Sequence, residues 1–168
     1  NFLLNNMKFQ DTISDSLDID FSIGKVENST FQKIGGDAID LSGSKVKIKK
    51  IRCNYIKDKC LSVGEKSVLS ADKVFSERSG TAVATKDGSY SKIIDLFVRN
   101  NKGISAMVYN KKSGYGKSTL ILRNTNIKSS DSLTSKENYL EINNNVIRPK
   151  FVNVEKLYSN EQMKKFRK

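Results

Sequence analysis

The chain of 168 residues carries 30 Lys and Arg against 18 Asp and Glu, a formal net charge of +12, and is therefore drawn to polyanions such as nucleic acid, acidic polysaccharide or an anionic membrane surface. Histidine is absent, which excludes Ser-His-Asp and Cys-His catalysis, HExxH zinc proteases and every His-ligated metal. The length suits one domain, and with Trp absent and aromatics at 8% its core has to be filled by Ile, Leu, Val and Phe.

Residues 1–22 carry Leu4, Phe9, Leu17 and Ile19, with apolar and polar residues alternating over short stretches, the periodicity of strands rather than helices. The same arrangement returns in 23–44, 45–66 and 67–88. Gly36-Asp-Ala-Ile-Asp-Leu-Ser is answered twenty-two residues later by Asp58-Lys-Cys-Leu-Ser-Val-Gly. One apolar column runs Leu17, Ile39, Leu61, Val83 and, after one extra residue, Ala106; its neighbour runs Ile19, Leu41, Val63, Thr85, Val108. Two more run in phase: Leu4, Val26, Ile48, Ser70, Ile93, and Phe9, Phe31, Cys53, Phe75, Val98.

A unit of this length, made of short strands and polar turns, buries its apolar face by stacking on the turn before it. The sequence thus predicts an all-β fold, a right-handed parallel β-helix of about six rungs over residues 1–145, with 146–168 as a C-terminal capping segment. A leucine-rich repeat has a similar period, but its L-x-x-L-x-L-x-x-N frame is missing and no unit contains a helical half. The upper edge of the first rung has no predicted cover, which implies self-association or reliance on preceding sequence. No signal peptide or membrane-spanning run occurs within the chain. It opens at Asn1 directly on a strand pattern, so it reads as a piece of something longer.

Asn6, Asn28, Lys50, Asp72 and Asp95 share a turn column, where Asn and Asp tolerate a left-handed backbone and bond to neighbouring turns. Asn28-Ser-Thr is formally a glycosylation sequon, but it lies in this structural column. Cys53 occupies a column otherwise held by Phe and reads as a small buried hydrophobe. Cys60 points the other way, among Ser and Ala, so no disulfide is expected and the redox compartment stays open.

The fifth rung, 89–116, carries an insertion, Asn110-Lys-Lys-Ser-Gly-Tyr-Gly. Gly114-Tyr-Gly-Lys-Ser-Thr ends like a phosphate-binding loop, yet Lys111 stands where the first glycine is required and a strand follows where a helix must begin. No nucleotide is expected. A loop presenting Tyr109, Tyr115, Lys111, Lys112 and Lys117 is instead placed to meet a sugar or an acidic partner. A weaker sixth rung contains Leu120, Leu122, Ile127 and Leu133, followed by Tyr139-Leu-Glu-Ile, and the repeat ends near Pro149. Ser159 as N-cap, Gln162 in the capping box, and Met163 and Phe166 at helical spacing predict a short helix lying over the last rung. Its basic end, Lys164-Lys-Phe-Arg-Lys, also suits a membrane surface or nucleic acid.

The register brings acids together. Asp18 and Asp40 fall in one outward column and Asp15 and Asp37 in another, with Asp20 beside them and Lys59 one rung beyond Asp37. Parallel strands lie about 4.8 Å apart, and carboxylates that close raise one another's pKa or recruit a cation. Asp15, Asp18, Asp37, Asp40 and Lys59 are the candidate substrate- or cation-binding residues. Asp18 and Asp40 are the candidate metal ligands, for weakly held Ca²⁺ if any cofactor is used.

Ser14-Asp-Ser-Leu-Asp-Ile-Asp-Phe-Ser, Gly36-Asp-Ala-Ile-Asp-Leu-Ser-Gly-Ser and Lys59-Cys-Leu-Ser-Val-Gly-Glu-Lys-Ser resemble the repeats of the pectate-lyase-like superfamily over residues 1 to about 134. The resemblance implies a module of a secreted protein, extracellular, periplasmic or at the cell surface. Its implied role is non-catalytic, carbohydrate-binding or structural, with a polysaccharide or another polyanion as partner. The alternative it implies is a lyase or glycoside hydrolase domain acting on acidic glycans, through acids that hold Ca²⁺ beside a Lys or Arg base, or through paired carboxylates.

Overall fold

A computed structural model describes residues 1–159, with side chains to Leu157. In order, the first half of the chain forms strands β1 (Phe2–Asn5), β2 (Lys8–Thr12), β3 (Asp18–Asp20), β4 (Ile23–Ile34), β5 (Ile39–Ser42), β6 (Lys45–Ile56), β7 (Lys59–Gly64) and β8 (Val68–Glu77). The second half adds β9 (Thr81–Lys86), β10 (Tyr90–Arg99), β11 (Ala106–Tyr109), β12 (Thr119–Arg123), β13 (Ser132–Thr134), β14 (Tyr139–Ile142), β15 (Asn145–Val146) and helix α1 (Val154–Ser159). They wind into a parallel β-solenoid of about six turns. One long sheet runs β1-β4-β6-β8-β10-β12-β14-β15 with β2 beside β4, and the other runs β3-β5-β7-β9-β11-β13. Among the described residues only β15 is antiparallel, folding back on β14.

The two columns on the second sheet hold as the sequence predicts. Ile39 pairs with Leu61, Leu61 with Val83 and Val83 with Ala106, and Leu41, Val63, Thr85 and Val108 follow in the adjacent column. The long sheet departs from the 22-residue step. Lys45 aligns with Val68, because the turn after Gly64 holds both Glu65 and Lys66 at positive φ (56° and 62°) where the preceding turn needs only Gly43. Ala71, not Ser70, therefore stacks on Ile48. Ser76, not Phe75, stacks on Cys53, so Phe75 faces outward, and the left-handed column reads Asn6, Asn28, Lys50, Lys73, Asp95, with Asp72 inside β8 opposite Lys49.

The expectation of unpaired cysteines is overturned: Cys53 and Cys60 form a disulfide, with Cα atoms 5.8 Å apart. Counting alternation from one to the other fails because the chain turns a corner at Tyr55, whose φ is 56°, and both side chains then point into the same narrow interior. Leu133 also faces outward, with Ser132 and Thr134 turned inward beside it.

The described C-terminal helix begins before the stretch expected to be helical. Asn153 caps it, accepting from the N–H of Lys156 at 2.9 Å, and Ser159, expected as an N-cap, is itself helical. It does not sit on the end of the rod. Val154 and Leu157 pack sideways onto the outer face of the second sheet, against a cluster of Ala84, Met107 and Tyr109. Gln162, Met163, Phe166 and the basic tail lie outside the described residues. At the other end, Phe2, Leu4, Phe9 and Leu17 pack on the core but remain partly exposed. No helix among the described residues is long and apolar enough to cross a membrane.

Ile39 is fully buried between rungs, with its backbone paired to Leu61 of the next rung. Ile39→Asn is expected to cost about 3–5 kcal/mol, since it exchanges packing for an unpaired amide in a core one rung thick. Chemical denaturation measures it; a loss below about 1 kcal/mol contradicts the assigned register.

Candidate functional site

The acids meet at the corner where the long sheet hands over to the second. Gly35 and Gly36 let the first two rungs close tightly there: a Cβ on Gly36 would lie 2.0 Å from Asp15 Oδ1, and one on Gly35 would lie 2.0 Å from the Ile13 carbonyl oxygen. The side chains then join one rung to the next. Asp15 Oδ1 accepts from the backbone N–H of Asp37 at 2.6 Å, and Asp37 Oδ1 accepts from the backbone N–H of Lys59 at 2.9 Å. The cleft around them holds about 530 Å³ and is lined by Asp15, Asp37, Asp40 and Asp58 together with Lys59, Lys86 and Lys111.

Asp15, Asp37 and Asp40 each place a carboxylate oxygen within 4.8 Å of the others. Asp18 is the register partner of Asp40, as the sequence predicts, but stands outside that group. Burial, with Asp20, Asp40 and Asp15 adding negative charge, raises the Asp18 pKa above the ordinary value. Lysines supply the counter-charge. Lys59 Nζ lies 3.0 Å from Asp37 Oδ1 and 2.7 Å from Asp58 Oδ2, with Lys59 itself only 2% exposed. Lys86 lays its stem across Gly64 to reach Ser62 Oγ at 2.8 Å and Asp40 Oδ1 at 4.0 Å. Asp40 Oδ1 is buried without a hydrogen-bond partner among the described residues.

Burial pushes the Asp37 carboxyl up to about 6; Lys59 opposes the shift, and Asp58 and Asp40 reinforce it. As a carboxylic acid, a group raised in this way in the folded state contributes stability that is fully present below its unfolded value near 3.8 and lost as pH rises through about 6.

The insertion loop is tied down. The backbone N–H groups of Lys111 and Lys112 both donate to Asp87 Oδ1, and Lys112 pairs with Glu65. Tyr109 does not project, as the loop reading supposed; it is fully buried beside Met107 under the helix.

Sequence reasoning missed a second surface because of the slipped register. A groove of about 560 Å³ follows the left-handed bend of the long sheet, lined by Asn6, Asn28, Lys50, Arg52, Lys73, Phe75, Asp95 and Phe97. Arg52 lies over the Phe75 ring at 4.4 Å and Arg99 approaches the same ring at 5.8 Å, the latter fastened to Glu77 Oε1 by Nε and Nη2. Phe97, one rung on, is 42% exposed. Beyond it Arg78 covers the exposed ring of Tyr55 at 5.0 Å. Placing Phe75 opposite Arg52 rather than Cys53 is the signal that reveals this face.

Comparison of the chain with protein-family models, curated proteins and solved structures gives no match.

Asp20→Asn is expected to lower the pKa of Asp18 toward the ordinary carboxylate value, and Asp40→Asn to lower it by less, following the order in which the two charges act on it. Carboxyl-carbon NMR titration reads both. An Asp18 titration untouched by either substitution removes the shared acidic field.

Proposed function

We propose that the chain is a non-catalytic module of a secreted or surface protein, and that it binds an acidic polysaccharide along its arginine and aromatic face. The observation that carries this reading is the stack in which Arg52 and Arg99 bracket Phe75 with Phe97 exposed beside them. Aromatic rings offer flat apolar contact to the faces of sugar rings, while guanidinium groups pair with carboxylate or sulfate in planar geometry. Lys50 and Lys73 line the same groove and the chain's net charge is +12, so a polyanion gains long-range attraction before it makes contact. The rungs set Arg52, Phe75 and Phe97 in line at strand spacing, which suits a linear polymer better than a compact ligand.

A lyase or hydrolase acting on acidic glycans is the second reading, favoured by the three close carboxylates of the cleft. Against it, Asp37 is buried and paired with Lys59, and Arg52 lies on the long sheet rather than beside these acids.

Affinity electrophoresis or calorimetry with polygalacturonate, and with dextran as neutral control, tests the proposal. Binding of the acidic polymer alone is expected, weakened about tenfold by Phe97→Ala and by at least as much by Arg52→Ala, each corresponding to about 1.4 kcal/mol. Equal binding of both polymers, or wild-type affinity in both variants, overturns it. Release of unsaturated sugar from the same polymer supports the lyase reading instead.

A further inference from the structure

Lys59 and Asp37 sit one rung apart, and their backbones hold them in place. The N–H of Lys59 donates to Asp37 Oδ1 at 2.9 Å, the Lys59 carbonyl accepts from Ala38 N–H at 2.8 Å, and the ammonium nitrogen lies 3.0 Å from that same carboxyl oxygen. A second carboxylate, Asp58, stands 2.7 Å from the nitrogen on its other side. The Lys59 and Asp37 side chains are 3% and 7% exposed and that of Asp58 is 16% exposed, so the first two are shielded and the third still reaches solvent.

We infer that Lys59 and Asp37 are a self-reacting pair: the ε-amine of Lys59 condenses with the side-chain carboxyl of Asp37 to form an intramolecular amide that staples adjacent rungs. The chemistry follows from the arrangement. Both side chains are shielded from water, which disfavours separated charges, and burial raises the pKa of Asp37, as for an acid that keeps its proton. The nitrogen lone pair attacks Asp37 Cγ, forming the C–N bond. The negative charge that develops on Oδ1 meets the Lys59 backbone N–H already directed at it. Asp58 takes the proton from the nitrogen and delivers it to the other carboxyl oxygen, which leaves as water. One amine and one acid give one amide and one water, with no change of oxidation state and no co-reactant. Fixed proximity replaces the activation that such a condensation otherwise requires, since groups held at contact distance react as though present at very high concentration. The inference does not depend on the glycan reading, which concerns another face of the rod.

Mass spectrometry of the intact, reduced chain is the test, and the expected mass is below that of the sequence by one water. After alkylation and trypsin digestion, residues 34–45 are expected joined to residues 58–66, with no cleavage after Lys59. Asp37→Ala and Lys59→Met restore the full mass, and Asp58→Ala leaves most of the chain unjoined. The wild-type protein decides the matter without any variant, so a variant that fails to fold does not shield the proposal. A full mass, a water lost within residues 58–66 alone, or one lost at Asp87-Gly88 overturns it, and complete joining in Asp58→Ala removes Asp58 as the proton carrier. The amide also abolishes the titration of Asp37, so wild-type stability is expected to lack the change between pH 4 and about 6 that the free acid would impose.

Discussion

The solenoid depends on satisfying the backbone polar groups at its corners. Along the inner strands the N–H and C=O groups pair with the neighbouring rungs, but where the chain bends the ladder breaks and those groups are already enclosed by the turns above and below. The chain meets this with side chains from the next rung. Ser44 Oγ accepts from Ser22 N–H, Ser67 Oγ from Ser44 N–H and Ser89 Oγ from Ser67 N–H, at 2.9 to 3.1 Å, and Ser118 and Asn138 continue the line. At another corner Asp15 and Asp37 serve the same purpose. At a third, Asn101 Oδ1 accepts from Ser79 N–H. A corner residue left without such a partner would bury an orphan donor at a cost of about 1–3 kcal/mol, and each rung has several corners.

This explains what the sequence made legible. Interior columns on the second sheet were readable because Ile, Leu and Val recur there at a constant step, and the acid pairs followed from the same arithmetic. The serine line was equally visible in Ser22, Ser44, Ser67 and Ser89, yet serine in a gap reads as a solvent-facing turn unless the corner is known to be enclosed. The register slip was harder to see. Ser70 standing in an otherwise apolar column was the warning, and the cause lies in two consecutive left-handed residues, Glu65 and Lys66, neither of which is glycine. Period-2 counting cannot detect a corner that uses a non-glycine left-handed residue, and for the same reason it misjudged Cys53 and Cys60 across Tyr55.

The Asp37 position shows how one residue type carries two demands. Its carboxyl is needed by the Lys59 N–H for structure, which fixes it in a place where ionisation is costly, and the same placement draws the Lys59 ammonium down beside it. Buried ion pairs contribute little net stability once desolvation is counted. As an ion pair alone the cluster would add little strength; it arises from closing this corner tightly at Gly35 and Gly36, and that closure is what brings the Lys59 nitrogen against Asp37.

The outer face of the second sheet adds the last step. Its central column reads Asp18, Asp40, Ser62, Ala84, Met107, Leu133, passing from charged through small to apolar along the rod. The chain covers the apolar end with its own helix, through Val154 and Leu157, and neutralises the acidic region with Lys59 and Lys86. Both ends of this face are therefore occupied by the protein's own side chains. The bend of the long sheet differs: Phe97 stays exposed there, beside a Phe75 ring covered by Arg52. Apolar rings left in water on a rigid face are a free-energy cost that folding alone does not require, whereas ring contact with a sugar polymer would recover it. The difference between a face that satisfies itself and one that does not is the physical ground of the proposal that a polysaccharide binds the arginine and aromatic side of the rod.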